Sequence, residues 1–219
     1  MKKRLVLAVL LVLVAATVFA FDPDELNLIT FVNSTGTKIE MIFLSPGDSK
    51  LWGPDLVGAD YVVNDGASVS YYVHYPDASF TFDIMATDDK GNKFELRDYR
   101  ISDGKEGRVR ITRDSLDSAA PDFKLLTLEV ENNTGRELVY LFVSPSDSDA
   151  WGCDMLDSET TLIDGDTHSI VIPVGKEAVT YNLMAADEDN NEYQFDVKID
   201  PRKGDTLTVS IEPQDLKRE

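Results

Sequence analysis

Three oxygen-bearing side chains stand at alternate positions of one short segment near the end of the chain. Asp187, Asp189 and Asn191 have the spacing that opens a calcium-binding loop of the EF-hand type. The pattern then departs from that loop, because Glu192 stands where glycine is required and Lys198 stands where a bidentate glutamate is required. The segment therefore excludes an EF-hand and leaves Ca²⁺ as a candidate ligand of a looser site, completed by neighbouring loops.

Two tryptophans are candidates for ligand binding. Trp52 and Trp151 occupy the same place in the string S-P-x-D-S-x-x-W-G-x-D, which occurs at 45–55 and again at 144–154. An exposed indole can stack on a sugar ring or on an aromatic side chain, whereas a buried indole can cover the open end of its own core. The tryptophan spacing is kept while a charged position drifts from Lys50 to Asp149, and this favours the structural interpretation.

Residues suited to nucleophilic or acid–base catalysis are scarce. His74 and His168 are the only histidines, and they do not fall on each other when the two copies of the string are aligned. The sequence has no G-x-S-x-G elbow, no zinc-spaced histidine pair and no glycine-rich phosphate loop. We predict that the protein is not an enzyme and has no catalytic residues. An envelope hydrolase with a carboxylate pair is the most distant alternative.

The whole chain is one unit written twice. At a shift of 99 residues the two halves match without a gap over about seventy positions, which indicates an internal repeat. The matching pairs include Asn33 and Asn132, Trp52 and Trp151, Asp65 and Asp164, and Asn92 and Asn191. We predict two homologous domains, at 21–118 and 119–219, joined by a small, polar linker at about 114–124.

Each copy has the two-residue period of β-strands. Phe82 and Ile84 alternate with Thr81 and Asp83, which places one set on a buried face. The segment 138–143 is apolar throughout and predicts a central strand covered on both faces. About seven short strands are expected in the first copy, near 26–33, 38–44, 60–64, 67–74, 79–87, 92–99 and 107–112. The predicted fold class is all-β, with two tandem antiparallel β-sandwiches of immunoglobulin-like size.

The first twenty residues have the pattern of a secretory signal peptide. Residues 2–4 are basic, residues 5–18 are apolar, and small side chains at 18 and 20 suit cleavage after Ala20. This predicts an exported protein, periplasmic or secreted, with no membrane insertion after cleavage. Cys153 is the only cysteine, so no disulfide can form within the chain.

The chain is strongly acidic. It carries 40 acidic and 21 basic residues, and removal of residues 1–20 leaves 18 basic residues and a net charge of −22. Such a charge repels nucleic acid and anionic lipid, so neither is an expected partner. Cations, basic proteins and neutral sugars remain compatible with it.

The repeated motifs carry a resemblance. The string N-x-T-G, then S-P-x-x-S-x-x-W-G-x-D, then a D-x-x-x-N hairpin, resembles that of largely uncharacterised small exported bacterial proteins with a β-sandwich repeat. The resemblance covers both copies and implies a secreted or periplasmic location without implying a ligand. We expect a non-catalytic binding or scaffold protein whose partner is a protein or a glycan. A calcium-assisted carbohydrate-binding or adhesion module is the alternative.

Overall fold

The computed structural model describes residues 22–59, 61–74, 81–100, 106–117, 123–156 and 160–217. The predicted signal peptide lies outside these residues. Among them we find no α-helix, and no helix long and apolar enough to cross a membrane. The first half of the chain contains strands β1 (Asn27–Ser34), β2 (Ile39–Pro46), β3 (Ser68–His74), β4 (Thr81–Asp88), β5 (Lys93–Arg100), β6 (Glu106–Thr112) and β7 (Leu116–Asp117).

The second half repeats the order of the long strands, with the short strand β10 added. Its strands are β8 (Lys124–Asn132), β9 (Leu138–Pro145), β10 (Gly152–Cys153), β11 (Thr167–Val174), β12 (Val179–Asp187), β13 (Glu192–Ile199) and β14 (Thr206–Ile211). Short 3₁₀ turns lie at Pro23–Glu25, Arg113–Ser115 and Pro213–Asp215. The protein is therefore all-β, as the sequence predicts.

Each half contains two sheets. In the first half the strand orders are β3-β1-β6 and β2-β4-β5-β7, and in the second they are β11-β8-β14 and β13-β12-β9; β10 of the second half adds to the first of these sheets, beside β3. Equivalent strands pair in the same way, since β1 lies antiparallel to β3 as β8 does to β11. We refer to residues 22–117 and 123–217 as the first and second repeats.

One feature of both repeats differs from the predicted antiparallel sandwich. Strand β1 pairs in parallel with β6, and β8 pairs in parallel with β14. The period of two that identifies a strand is the same in both directions, so the pattern of side chains did not reveal this pair.

The cores contain side chains from both sheets of each repeat. In the first repeat, Ile29 and Val109 from one sheet pack with Ile42 and Ile84 from the other, and all four are buried. Equivalent positions in the second repeat, such as Leu128 and Leu183, form a second core.

Three expectations about elements need correction. Residues 61–64 form no strand beyond an isolated bridge between Val63 and Ile39. The predicted linker is structured up to Asp117, because Leu116 and Asp117 pair with β5. Strand β9 is buried on both faces as expected, but it lies at the edge of its ladder rather than at its centre.

Candidate functional site

The loop at 45–55 and its second copy at 144–154 are each closed by a hydrogen bond between a serine side chain and a backbone carbonyl six residues later. The Ser45 hydroxyl donates to the carbonyl of Leu51, and the Ser144 hydroxyl donates to the carbonyl of Ala150 in the second copy. Gly53 is required by close approach, since a Cβ there would lie 2.1 Å from the carbonyl oxygen of Leu44. The serine and the glycine of the motif therefore shape the loop.

The aspartate that ends the motif fastens the loop to the edge of a sheet. Asp55 accepts hydrogen bonds from the backbone amides of Ile42, Val57 and Gly58 at 3.0–3.1 Å. Burial raises the pKa of Asp55 to about 6, against the effect of these three donors. Asp154 accepts in the same way from the amides of Leu141 and Leu156.

Trp52 and Trp151 are half-buried, and their surroundings differ. Trp151 packs with Tyr140, Phe142 and Met184, in a cluster separate from the core of its repeat. The expectation that it covers the end of that core is therefore wrong, because the indole packs on the outer face of the β9–β12 sheet.

The indole of Trp52 has a cation as its neighbour. The guanidinium of Arg97 lies 4.7 Å from the centre of the ring and also pairs with Asp83 and Glu95. A guanidinium over an indole is a favourable cation–π contact. The two tryptophans therefore have different neighbours, a cation at Trp52 and apolar side chains at Trp151.

The predicted calcium turn is held by amide donors. Asp187 is fully buried and accepts hydrogen bonds from the amides of Asp189 and Asn191 and from the Asn191 side chain. The side chain of Asp189 points to Arg136, with 2.9 Å between Nη1 and Oδ2. Among the described residues no group of three or more His, Cys, Asp or Glu side chains could hold a metal ion.

The same turn in the first repeat is closed in the same way. Asp88 accepts from the amides of Lys90 and Asn92 and from the Asn92 side chain, although Lys90 replaces Asp189. Burial acts to raise the pKa of Asp88, but these hydrogen bonds outweigh it and the pKa is lowered. Calcium at 187–191 stays a prediction, and an ion there would share Asp187 with its amide donors and compete with Arg136 for Asp189.

A groove lies at the boundary between the repeats and is lined by residues of both. It consists of a cleft of about 600 Å³ and an adjoining cavity of about 300 Å³. The two parts share several lining residues: Asp55, Gly58, Ala59, Tyr61, Val62 and Val171. We call this surface the inter-repeat groove.

Apolar side chains stand exposed along the groove. Tyr61 is 74% exposed and Val62 is 48% exposed, and Leu125 of the second repeat lines the same cavity. The wall of the larger cleft adds Tyr71 from β3. Exposed apolar side chains around a concavity are typical of binding surfaces.

Sequence reasoning missed Tyr61 and Val62, because it placed them in a strand. A signal was nevertheless present in the comparison of the two copies. At the shift of 99 residues, Tyr61 and Val62 fall on Thr160 and Thr161. The loop anchors are the same in both copies, whereas this tip is apolar in one and polar in the other.

The polar groups of the groove are acidic or neutral. Asp55, Asp154 and Glu40 line it, together with His168, and no Lys or Arg is found among its described lining residues. The oxygens of Asp55 and Asp154 already accept backbone amides, so these two carboxylates serve the fold. The groove therefore suits a neutral or basic ligand with an apolar face.

Comparison with known proteins gives little identity. No family model and no curated protein matches the chain. The NMR structure of a protein from Eubacterium rectale is 19% identical, with a TM-score of 0.32, and the match covers 47% of this chain and 95% of that one. The crystal structure of CBMbc (family CBM26) from Eubacterium rectale Amy13K in complex with maltoheptaose is 9% identical, with a TM-score of 0.23, and covers 85% and 91% of the two chains. Similarity at this level carries no ligand over to this chain.

Proposed function

We propose that the protein is a non-catalytic, exported binding or scaffold protein that holds its ligand in the inter-repeat groove. The observation that carries this proposal is the apolar tip formed by Tyr61 and Val62, which stands exposed in the first repeat and is replaced by threonines in the second. An exposed apolar tip costs solubility, and a ligand that covers it would remove that cost. Export rests on residues 1–20, and the mass of the secreted chain checks it.

Two classes of ligand fit the groove, a peptide segment and a neutral glycan. Tyr61 and Tyr71 both line the cleft, and an aromatic ring presents an apolar face and a hydroxyl to a sugar. The acidic groove would not repel an uncharged oligosaccharide. An extended peptide with apolar or basic side chains fits the same groove, so the ligand screen needs both classes.

The test is a variant that copies the second repeat into the first. Tyr61→Thr combined with Val62→Thr gives the tip the residues that the chain already uses at 160 and 161. The wild-type protein and this variant are applied to an array of neutral oligosaccharides and to a library of peptides. We expect the wild type to retain a ligand that the variant loses, with both proteins equally stable.

Tyr72→Val is the matched control. Tyr72 is 41% exposed, does not belong to the residues described as lining the groove, and also falls on a different residue, Val171, in the second repeat. This control should bind as the wild type does. Equal binding by the wild type and the double variant would show that the groove is not the site.

A further inference from the structure

The two repeats contact each other through residues that are equivalent at the shift of 99 positions. The Ser49 hydroxyl donates to Asp147 Oδ1 at 2.6 Å, and the Ser148 hydroxyl donates to Asp48 Oδ1 at 2.8 Å. Ser148 and Asp147 are the residues that follow Ser49 and Asp48 by 99 positions. Donor and acceptor therefore exchange between the repeats.

The backbone contacts show the same exchange. The amide of Asp55 donates to the carbonyl of Val171 at 2.8 Å, and the amide of Asp154 donates to the carbonyl of Tyr72 at 2.9 Å. These two pairs are again related by 99 positions. Each motif loop thus binds the edge strand, β3 or β11, of the other repeat.

Apolar side chains also cross in both directions. Ala150 and Cys153 are buried in the core of the first repeat, and Leu51 packs against the core of the second. The segments that precede the first strand of each repeat cross as well. Leu26 packs with Phe142 of the second repeat, and the ring of Phe123 meets that of Phe43 at 5.7 Å.

The departures from symmetry follow from single substitutions. Gly152 and Cys153 pair with His74 and Val73 of β3, but in the opposite direction Pro54 and Pro173 stand at equivalent positions. Proline has no amide hydrogen, so it weakens a ladder at that point. Likewise the Tyr181 hydroxyl donates to the carbonyl of Trp52, while Phe82, its equivalent, has no hydroxyl.

An interface in which residue i meets residue j, and j meets i, is that of a two-fold dimer. We propose that each repeat carries a self-recognition surface, made of the S-P-x-D-S-x-x-W-G-x-D loop and the adjoining edge of β3 or β11, whose partner is the same surface of a second repeat. The covalent connection is then not needed to hold the repeats together. This proposal is independent of the ligand of the groove.

The experiment uses the full mature chain with a specific protease site placed in residues 118–122. The chain is folded, cleaved completely and passed through size exclusion with light scattering over a series of dilutions. We expect one species with the mass of both halves together. Separation into two free halves at every concentration would overturn the proposal.

Two related substitutions test the two-fold character. Asp48→Asn and Asp147→Asn each remove the charge from one of the exchanged serine contacts, so each should weaken the association of the cleaved halves by about tenfold. Asp147 also accepts from the amide of Lys50 at 3.2 Å, so its effect should be the larger of the two.

Asp149→Asn is the control, because Asp149 is exposed in the same loop, outside the exchanged pairs. It should leave the association unchanged. Far-ultraviolet circular dichroism of each intact variant separates loss of folding from loss of association. An effect of Asp147→Asn with none from Asp48→Asn in folded proteins would show that the surface is not self-complementary.

Discussion

The buried polar side chains of this protein act as anchors for the backbone. Asn33 donates to the carbonyls of Thr37 and Val63, each at 2.7 Å, and accepts from the amide and hydroxyl of Thr35. Asn132 makes the equivalent four contacts in the second repeat. Because a buried polar group without a partner costs about 1–3 kcal/mol, such residues fix the turns that they serve.

The buried carboxyl group of Asp55 should make the stability of the protein depend on pH. Burial holds its pKa at about 6 in the folded protein, above the value of 3.8 expected for an exposed aspartate. A group with a raised folded pKa favours folding fully below its unfolded pKa and loses that contribution as the pH rises through its folded pKa. Asp55 should therefore contribute to the stability of the folded state at pH 4, and this contribution should be lost by pH 7.

The measurement compares the wild type with Asp55→Asn by urea unfolding from pH 4 to pH 7.5. The free energy of unfolding of the wild type should fall relative to that of the variant by up to about 3 kcal/mol, since each pKa unit corresponds to about 1.4 kcal/mol. Burial lowers the pKa of His74, which gives the opposite slope in both proteins and cancels in the comparison. A difference that stays constant with pH would contradict the prediction.

Side-chain patterns predicted some strands and turns of this protein correctly and others wrongly. The alternation around Phe82 and Ile84 correctly placed β4, because both residues face the core. The run at 60–64 was wrongly placed in a strand, because Tyr61 and Val62 form an exposed tip and only Val63 enters the core. Asp187, Asp189 and Asn191 lie at the turn between β12 and β13, but their spacing alone cannot show whether the partners of the Asp187 carboxylate are amides or a metal ion.

The D-x-x-x-N turns should behave alike in the two repeats. Asp88 and Asp187 each accept two backbone amides and one asparagine side chain, so Asp88→Ala and Asp187→Ala should each destabilise the protein by about 2 kcal/mol or more. Asp189→Lys, which copies Lys90, replaces an exposed ion pair with Arg136 by two neighbouring exposed cations and should cost less than about 1 kcal/mol.

Calcium provides the second arm of this experiment. With Asp187 occupied by amides, millimolar calcium should shift the melting temperature of the wild type and of Asp189→Lys equally. A shift that occurs in the wild type and is lost in Asp189→Lys would instead establish a calcium site at this turn, by the linkage of binding to stability.

At the scale of the whole molecule the repeats share structure. Strand β10 of the second repeat extends a sheet of the first, and Leu51 of the first repeat packs against the core of the second. The shift of 99 residues predicted two equivalent units, and the two-residue period of their side chains predicted the all-β class. It did not predict how they meet, because residues such as Ser49 and Asp147 contact each other across a boundary on which the sequence pattern carries no information.

The shared cores should make the chain unfold as one unit. Ile29 and Leu128 are equivalent, fully buried core residues of β1 and β8, and truncation of either to alanine should cost about 2–5 kcal/mol.

In a Trp52→Phe background, fluorescence reports only Trp151 of the second repeat. Because Cys153 and Ala150 fasten the second repeat to the core of the first, Ile29→Ala should lower the transition seen by Trp151 as much as Leu128→Ala does. Circular dichroism should show the same single transition, as expected for two-state unfolding. If Ile29→Ala left the Trp151 transition unmoved while Leu128→Ala shifted it, the repeats would unfold independently and their mutual contacts would add little to stability.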